Sequence, residues 1–125
     1  MRVAIVGSRD VPDYVDVDYV IRHIPLNCTE IVSGGARGID TLARMAAQKL
    51  DLPIREFLPD YHTYGKRAPL VRNEQIVDAA DYVIALWDGK SSGTAYTLSY
   101  CIKYHNPFRI YTFKHPLESQ PKIPL

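Results

Sequence analysis

Apolar residues in this chain fall into short continuous runs, separated by segments in which they recur every three or four positions. Arg2 to Val6, Thr29 to Val32, Ile54 to Leu58, Tyr82 to Trp87 and Phe108 to Phe113 are rich in β-branched and aromatic residues, and most are apolar at successive positions. Strands of a parallel sheet covered by helices on both faces have this pattern. Between the first two runs, Tyr14, Val17, Val20, Ile21 and Ile24 make a helical stripe that Pro25 ends. Ile39, Leu42, Ala43, Ala46 and Leu50 make a second stripe, closed by Asp51-Leu52-Pro53. Asp40 places negative charge in its first turn, where the helix dipole favours it. The spacing predicts a third helix over Arg67 to Ala79, with Pro69 tolerated in the first turn. A fourth runs from Ser92-Gly93-Thr94 through Ala95, Leu98, Cys101 and Ile102 to the Asn106-Pro107 stop.

Strand runs alternating with helical stripes predict an α/β fold, a Rossmann-like three-layer sandwich with a mainly parallel five-stranded sheet. Residues 1–113 read as one domain and residues 114–125, with Pro116, Pro121 and Pro124, as a C-terminal tail. In such a sheet ligands lie outside the carboxyl ends of the strands, where the strand order reverses.

Composition narrows the function classes. Fifteen basic against fourteen acidic side chains give a formal charge of +1, without the bulk positive field that drives sequence-independent phosphate-backbone binding. That balance argues against nucleic acid as a partner. The apolar run at Met1 to Gly7 is too short for a signal peptide, and no stretch approaches the roughly 20 apolar residues of a membrane span. The expectation is a cytoplasmic protein with no membrane partner. Cys28 and Cys101 read as two buried or half-buried thiols, and His23, His62, His105 and His115 lack metal-ligand spacing. Neither a metal nor a cofactor is expected.

Four strand ends carry the candidate chemistry: Gly7-Ser8-Arg9, Ser33-Gly34-Gly35-Ala36-Arg37-Gly38, Pro59 to Gly65, and Trp87-Asp88-Gly89-Lys90-Ser91-Ser92-Gly93-Thr94. A glycine turn leading into a helix leaves backbone N–H groups free beside the positive end of the helix dipole, which suits phosphate. Gly34 and Gly35 let a ligand approach the main chain, and Thr94 offers a hydroxyl and an N–H at a helix start. Arg9 adds a planar fork of donors. Tyr61, Tyr64 and Trp87 could give a nucleobase a stacking face. Arg72 and Asn73 read equally as inward-facing site residues or as a solvated stripe. The loop at Ser33 is neither a Walker A loop nor the GxGxxG fingerprint, because no Gly-Lys-Ser/Thr follows and it lies after the second strand.

Taken together and in order, Gly7-Ser8-Arg9, Ser33 to Asp40, Tyr64-Gly65 with Arg72-Asn73, and Trp87-Asp88-Gly89 with Ser92-Gly93-Thr94 resemble the SLOG superfamily, and within it the YspA-like family. The resemblance implies a Rossmann-like sheet, kinship with the LOG phosphoribohydrolases and with DprA, and binding of nucleotide-derived ligands. It carries over the glycine loops and Arg72-Asn73 as ligand contacts, and together with the residues read above the candidate set is Gly7, Ser8, Arg9, Ser33, Gly34, Gly35, Ala36, Tyr64, Arg72, Asn73, Trp87, Asp88, Gly89, Ser92, Gly93 and Thr94. In the LOG enzymes the second phosphate loop is followed by a glutamate that works on the glycosidic bond. Thr97 stands at that position and supplies no carboxylate, so hydrolysis would fall to Asp88 or Glu74.

The leading expectation is a small module that binds a nucleotide or nucleotide-derived phosphate in a sensing or carrier role. A nucleoside-phosphate N-glycosidase and a DprA-like binder of single-stranded DNA, the latter using Arg37, Lys66, Arg67 and Arg72, are the alternatives. Tyr96, Tyr100 and Tyr104 on the last helix suggest an aromatic face for a homodimer or higher homo-oligomer.

Overall fold

A computed structural model describes residues 1–114 of the chain. Five strands, β1 (Arg2–Gly7), β2 (Glu30–Ser33), β3 (Ile54–Glu56), β4 (Tyr82–Trp87) and β5 (Phe108–Thr112), form one sheet in the order β3-β2-β1-β4-β5. Every pairing is parallel, with Ala4 opposite both Val32 and Val83, and Ile84 opposite Arg109. The fold is therefore an all-parallel Rossmann-like α/β sandwich. The tail expected over 114–125 lies, beyond Lys114, outside the described residues.

Helices α1 (Val17–Arg22) and α2 (Ile39–Lys49) cover one face of the sheet, and α4 (Ala68–Asp78) and α5 (Ser92–Lys103) the other. Ile5, Ile31, Ile39 and Ile84 anchor the first core, and Val32, Val77, Val83 and Leu98 the second. Each fully buried side chain of this size contributes roughly 1.5–3 kcal/mol through removal of apolar surface from water. Strand residues pointing to opposite faces are thus both buried, which is why the runs in the sequence are continuous.

Helix α1 is shorter than the stripe from Tyr14 predicts. The Asp16 side chain accepts from the Tyr19 amide at 2.9 Å and so sets the start at Val17. Strand β3 stops at Glu56, two residues short of the predicted Leu58. A four-residue helix that the sequence pattern does not predict, α3 (Tyr61–Tyr64), is capped by the Asp60 carboxylate and leads through a 3₁₀ turn at Gly65–Arg67 into α4. At the amino ends of β1 and β4, Asp81 clasps both the backbone amide and the guanidinium of Arg2. No helix among the described residues is long and apolar enough to cross a membrane.

Candidate functional site

The strand order reverses between β1 and β4, so their carboxyl ends border the position where sheets of this kind hold ligands. Three side chains bridge the two ends. The buried Ser8 hydroxyl accepts from the Asp88 amide at 3.0 Å, and the Ser91 hydroxyl lies 3.1 Å from Ser8 and 3.0 Å from the Asp88 carboxylate. Asp88 also accepts from the amides of Lys90 and Ser91 at 2.8 and 2.9 Å. Burial pushes the Asp88 carboxyl up, but these amide and hydroxyl hydrogen bonds together outweigh it and hold the group below its ordinary value. Asp88 is an ionised hinge pin of its own loop, poorly suited to donate a proton.

The glycine loop after β2 is closed by the chain itself. Its Ala36 amide donates to the Asp40 carboxylate at 3.1 Å, and the Ile39 amide at the start of α2 donates to the Ser8 carbonyl at 3.1 Å. Gly38, at φ 76°, is required here: a Cβ would sit 2.3 Å from the Arg9 carbonyl oxygen. Gly34 is needed for space. A Cβ there would stand 2.9 Å from both Arg72 Nη1 and the Asp40 carboxylate.

Arg72 connects this loop to α4. It is 8% exposed, donates from Nη1 to the carbonyls of Gly34 (2.9 Å) and Phe57 (3.4 Å), and from Nε to Asn73 Oδ1 at 2.9 Å. Its Nη2 has no hydrogen-bond partner among the described residues, and the side chain lines the edge cavity described below. Burial lowers its pKa, Asp40 opposes that shift, and nearby Arg9 adds to it. Burial likewise raises the Asp40 carboxyl, against the Ala36 amide and Arg72. An arginine so placed stays charged. The alternative of a solvated stripe for Arg72 is excluded by its burial.

Above the carboxyl edge lies a cavity of about 680 Å³, walled by β1, the start of α2, α4 and the start of α5. Of the residues predicted from sequence, Gly7, Arg9, Ala36, Arg72, Asn73, Asp88, Ser92, Gly93 and Thr94 line it. Ser8, Ser33, Gly34, Gly35, Tyr64, Trp87 and Gly89 do not. Ser8 and Gly34 act behind the lining. The Ser33 hydroxyl is buried without a well-formed hydrogen bond, close enough to Asp40 to favour its charged form. Trp87 is half-buried, packed against the second core, and donates from Nε1 to the Ser91 carbonyl at 3.1 Å. Tyr64 is exposed on α3 beside Tyr61, whose ring lies near enough to Arg72 to act on it electrostatically.

At the start of α5 the Ser91 side chain does not cap the helix, and the first intrahelical bond is made by the Ala95 amide. The amides of Ser92, Gly93 and Thr94 therefore have no protein partner among the described residues, and all three residues line the cavity. Arg37, named from the sequence only for the DNA-binding alternative, lines it too, as do Asp40 and Thr97, and Asp10, Pro69 and Leu70, which were not named as contacts. Asp40 carries a signal, a carboxylate in a first helical turn beside a glycine loop; Pro69 and Leu70 carry none. Thr97 donates to the Gly93 carbonyl at 2.9 Å and lines the cavity. Glu74 accepts from the Tyr96 hydroxyl and lines a separate groove of about 260 Å³ with Tyr100 and Tyr104. Among the described residues no group of three His, Cys, Asp or Glu could hold a metal ion.

Residues 1–54, holding β1, α1, β2, α2 and both of their loops, match the family of DNA recombination-mediator protein A. The fold is similar to DNA processing protein A from Helicobacter pylori, in a structure described for its single-stranded DNA binding mode (TM-score 0.70, 25% identity, 88% of this chain and 64% of that one). It is also similar to DNA processing protein A (DprA) from Streptococcus pneumoniae (TM-score 0.70, 23% identity, 87% of this chain and 49% of that one), a likeness of fold. The chain thus spans less than two thirds of either protein. No curated protein matches the sequence. SLOG kinship is consistent with these matches, which do not confirm the YspA-like branch.

These likenesses overturn the expectation that nucleic acid is not a partner class, since the Helicobacter pylori protein binds single-stranded DNA. The physical reason is that net charge sums the whole surface. The +1 total does not report arrangement: Arg9, Arg37 and Arg72 meet in one cavity, and of the three aspartates beside them Asp40 and Asp88 are held by backbone amides.

Proposed function

We propose that this chain binds single-stranded nucleic acid along the carboxyl edge of its sheet, with residues 1–113 as the binding unit. One phosphate sits against the open amides of Ser92, Gly93 and Thr94, faced by the unpaired Nη2 of Arg72. Arg9 and Arg37 at the rim, and Lys66 and Arg67 in the turn before α4, follow the backbone to either side. Tyr61 and Tyr64, both exposed on α3, offer base-stacking faces. The reading is carried by one observation: three arginines and an uncapped helix start converge on a single edge cavity. Similarity over 88% of the chain to a single-stranded-DNA-binding protein supports it.

Fluorescence anisotropy with a labelled oligo-dT tests the proposal. Arginine contacts to three or four phosphates predict a log–log salt slope of about −2 to −3. Oligonucleotide binding that is absent at low salt refutes it.

A second reading, a mononucleotide or nucleotide-derived phosphate as the ligand, is favoured by the cavity volume of about 680 Å³, within the usual range for small-molecule sites. A nucleoside monophosphate that raises the melting temperature, in a protein that does not retain oligo-dT, selects this reading. N-glycosidase chemistry has less support, because Asp88 is held ionised by its own loop and Glu74 faces the other groove.

A further inference from the structure

The edge cavity contains three arginines and three aspartates, and their partners divide them. Asp88 is spent on the Lys90 and Ser91 amides, and Asp40 on the Ala36 amide beside Arg72. Asp10 differs. Its only partner among the described residues is Arg37, at 3.5 Å, and the two side chains are 63% and 70% exposed. The pair spans the mouth of the cavity from the loop after β1 to the loop after β2, whose backbones are locked together by the Ile39 amide on the Ser8 carbonyl and by the close packing of Gly38 on Arg9. These contacts tie the two loops to each other, whereas among the described residues the two exposed side chains are held only by their own pair.

We infer that Asp10 is an internal competitor for Arg37, releasing it to a phosphate of the bound strand by exchange of one ion pair for another. This rests on the proposed binding of nucleic acid at the same edge. A 3.5 Å contact between exposed groups is at the long limit of hydrogen bonding and is weakly held, so a phosphate, which offers a fork of oxygens to guanidinium, displaces it readily. Asp10 thereby sets how tightly the strand is held at Arg37.

The test is a double-mutant cycle read by anisotropy with labelled oligo-dT, using wild type, Asp10→Asn, Arg37→Gln and the double variant. Both side chains are exposed, so all four proteins are expected to fold. Asp10→Asn should tighten binding by roughly twofold to fivefold, the range an exposed ion pair can supply. Arg37→Gln should weaken it, and in that background Asp10→Asn should give no gain. An equal gain in both backgrounds reduces Asp10 to a bystander charge and overturns the exchange, as does an Asp10→Asn protein that binds no better than wild type. If wild type itself fails to bind the oligonucleotide, the proposed function falls and this inference with it, an outcome distinct from the other two.

Discussion

Arg72 donates from Nη1 to the carbonyl oxygen of Gly34 at 2.9 Å, joining α4 to the glycine loop across 38 residues of sequence. One guanidinium thus both satisfies a buried carbonyl and offers its remaining amino group to the cavity. Arg72→Met is expected to cost about 1–3 kcal/mol, the range for leaving the buried Gly34 carbonyl unsatisfied. Arg72→Lys should recover part of the stability but little of the affinity, because a point charge cannot fork between loop and ligand. Urea denaturation and oligonucleotide titration of both variants check this.

Gly93 separates ligand binding from stability. A Cβ there meets only Asn73 Nδ2, at 3.8 Å, and the residue lies in the first turn of α5. Gly93→Ala should therefore raise stability by up to about 1 kcal/mol through helix propensity. The same methyl group crowds the open amides and should weaken binding by about tenfold or more, the equivalent of one charge-assisted hydrogen bond. A higher melting temperature with unchanged affinity would show that the anion sits elsewhere.

Gly38 and Gly89 both have positive φ, yet their surroundings differ. At Gly89 (φ 81°) nothing lies within 4 Å of the place a methyl group would take, whereas at Gly38 the Arg9 and Ser8 carbonyl oxygens lie at 2.3 and 2.5 Å. Gly89→Ala should cost about 1 kcal/mol of backbone strain. Gly38→Ala adds a collision with main chain and should cost about 3 kcal/mol or more. Equal melting temperatures for the two variants would show that the approach of α2 to the β1 loop is unimportant.

The Arg2–Asp81 clasp predicts an acid dependence. The Arg2 guanidinium, then its backbone amide, hold the Asp81 carboxyl down from 3.8 to about 2. A carboxyl with a depressed pKa in the folded state contributes stability that is complete above its unfolded value and is lost as pH falls through the folded one. Wild type and Asp81→Asn should therefore differ in stability at neutral pH and converge between about pH 4 and pH 2. Parallel curves over that interval would remove Asp81 as the cause.

Strands and long helices are legible in the sequence because their burial is two-sided or periodic, as Ile84 and Ala46 illustrate. Helix α3 is hidden, since Tyr61 to Tyr64 make a single turn in which no period can develop and only the Asp60 cap marks the start. The start of α1 is obscured for the converse reason: Tyr14 fits the stripe, but Asp16 caps the helix two residues further on. At the site, sequence locates Arg72 and Gly93 through their motif without revealing their division of labour. Gly34 and Gly35 look alike, yet Gly35 adopts φ 71° while Gly34 makes room for Arg72 and Asp40. Asp40 reads as a dipole partner because a helix start favours carboxylates wherever it lies. That it occupies the Ala36 amide depends on tertiary contacts which no local pattern encodes.

The bridge of Ser8, Asp88 and Ser91 fastens the tips of β1 and β4 through contacts supplied by the chain itself. On the proposed function, an incoming strand would meet a seat already built, with the entropy of arranging it lost during folding instead of at encounter. Association is expected to be quick and free of a slow closing step, with discrimination between ligands residing in how fast each one leaves.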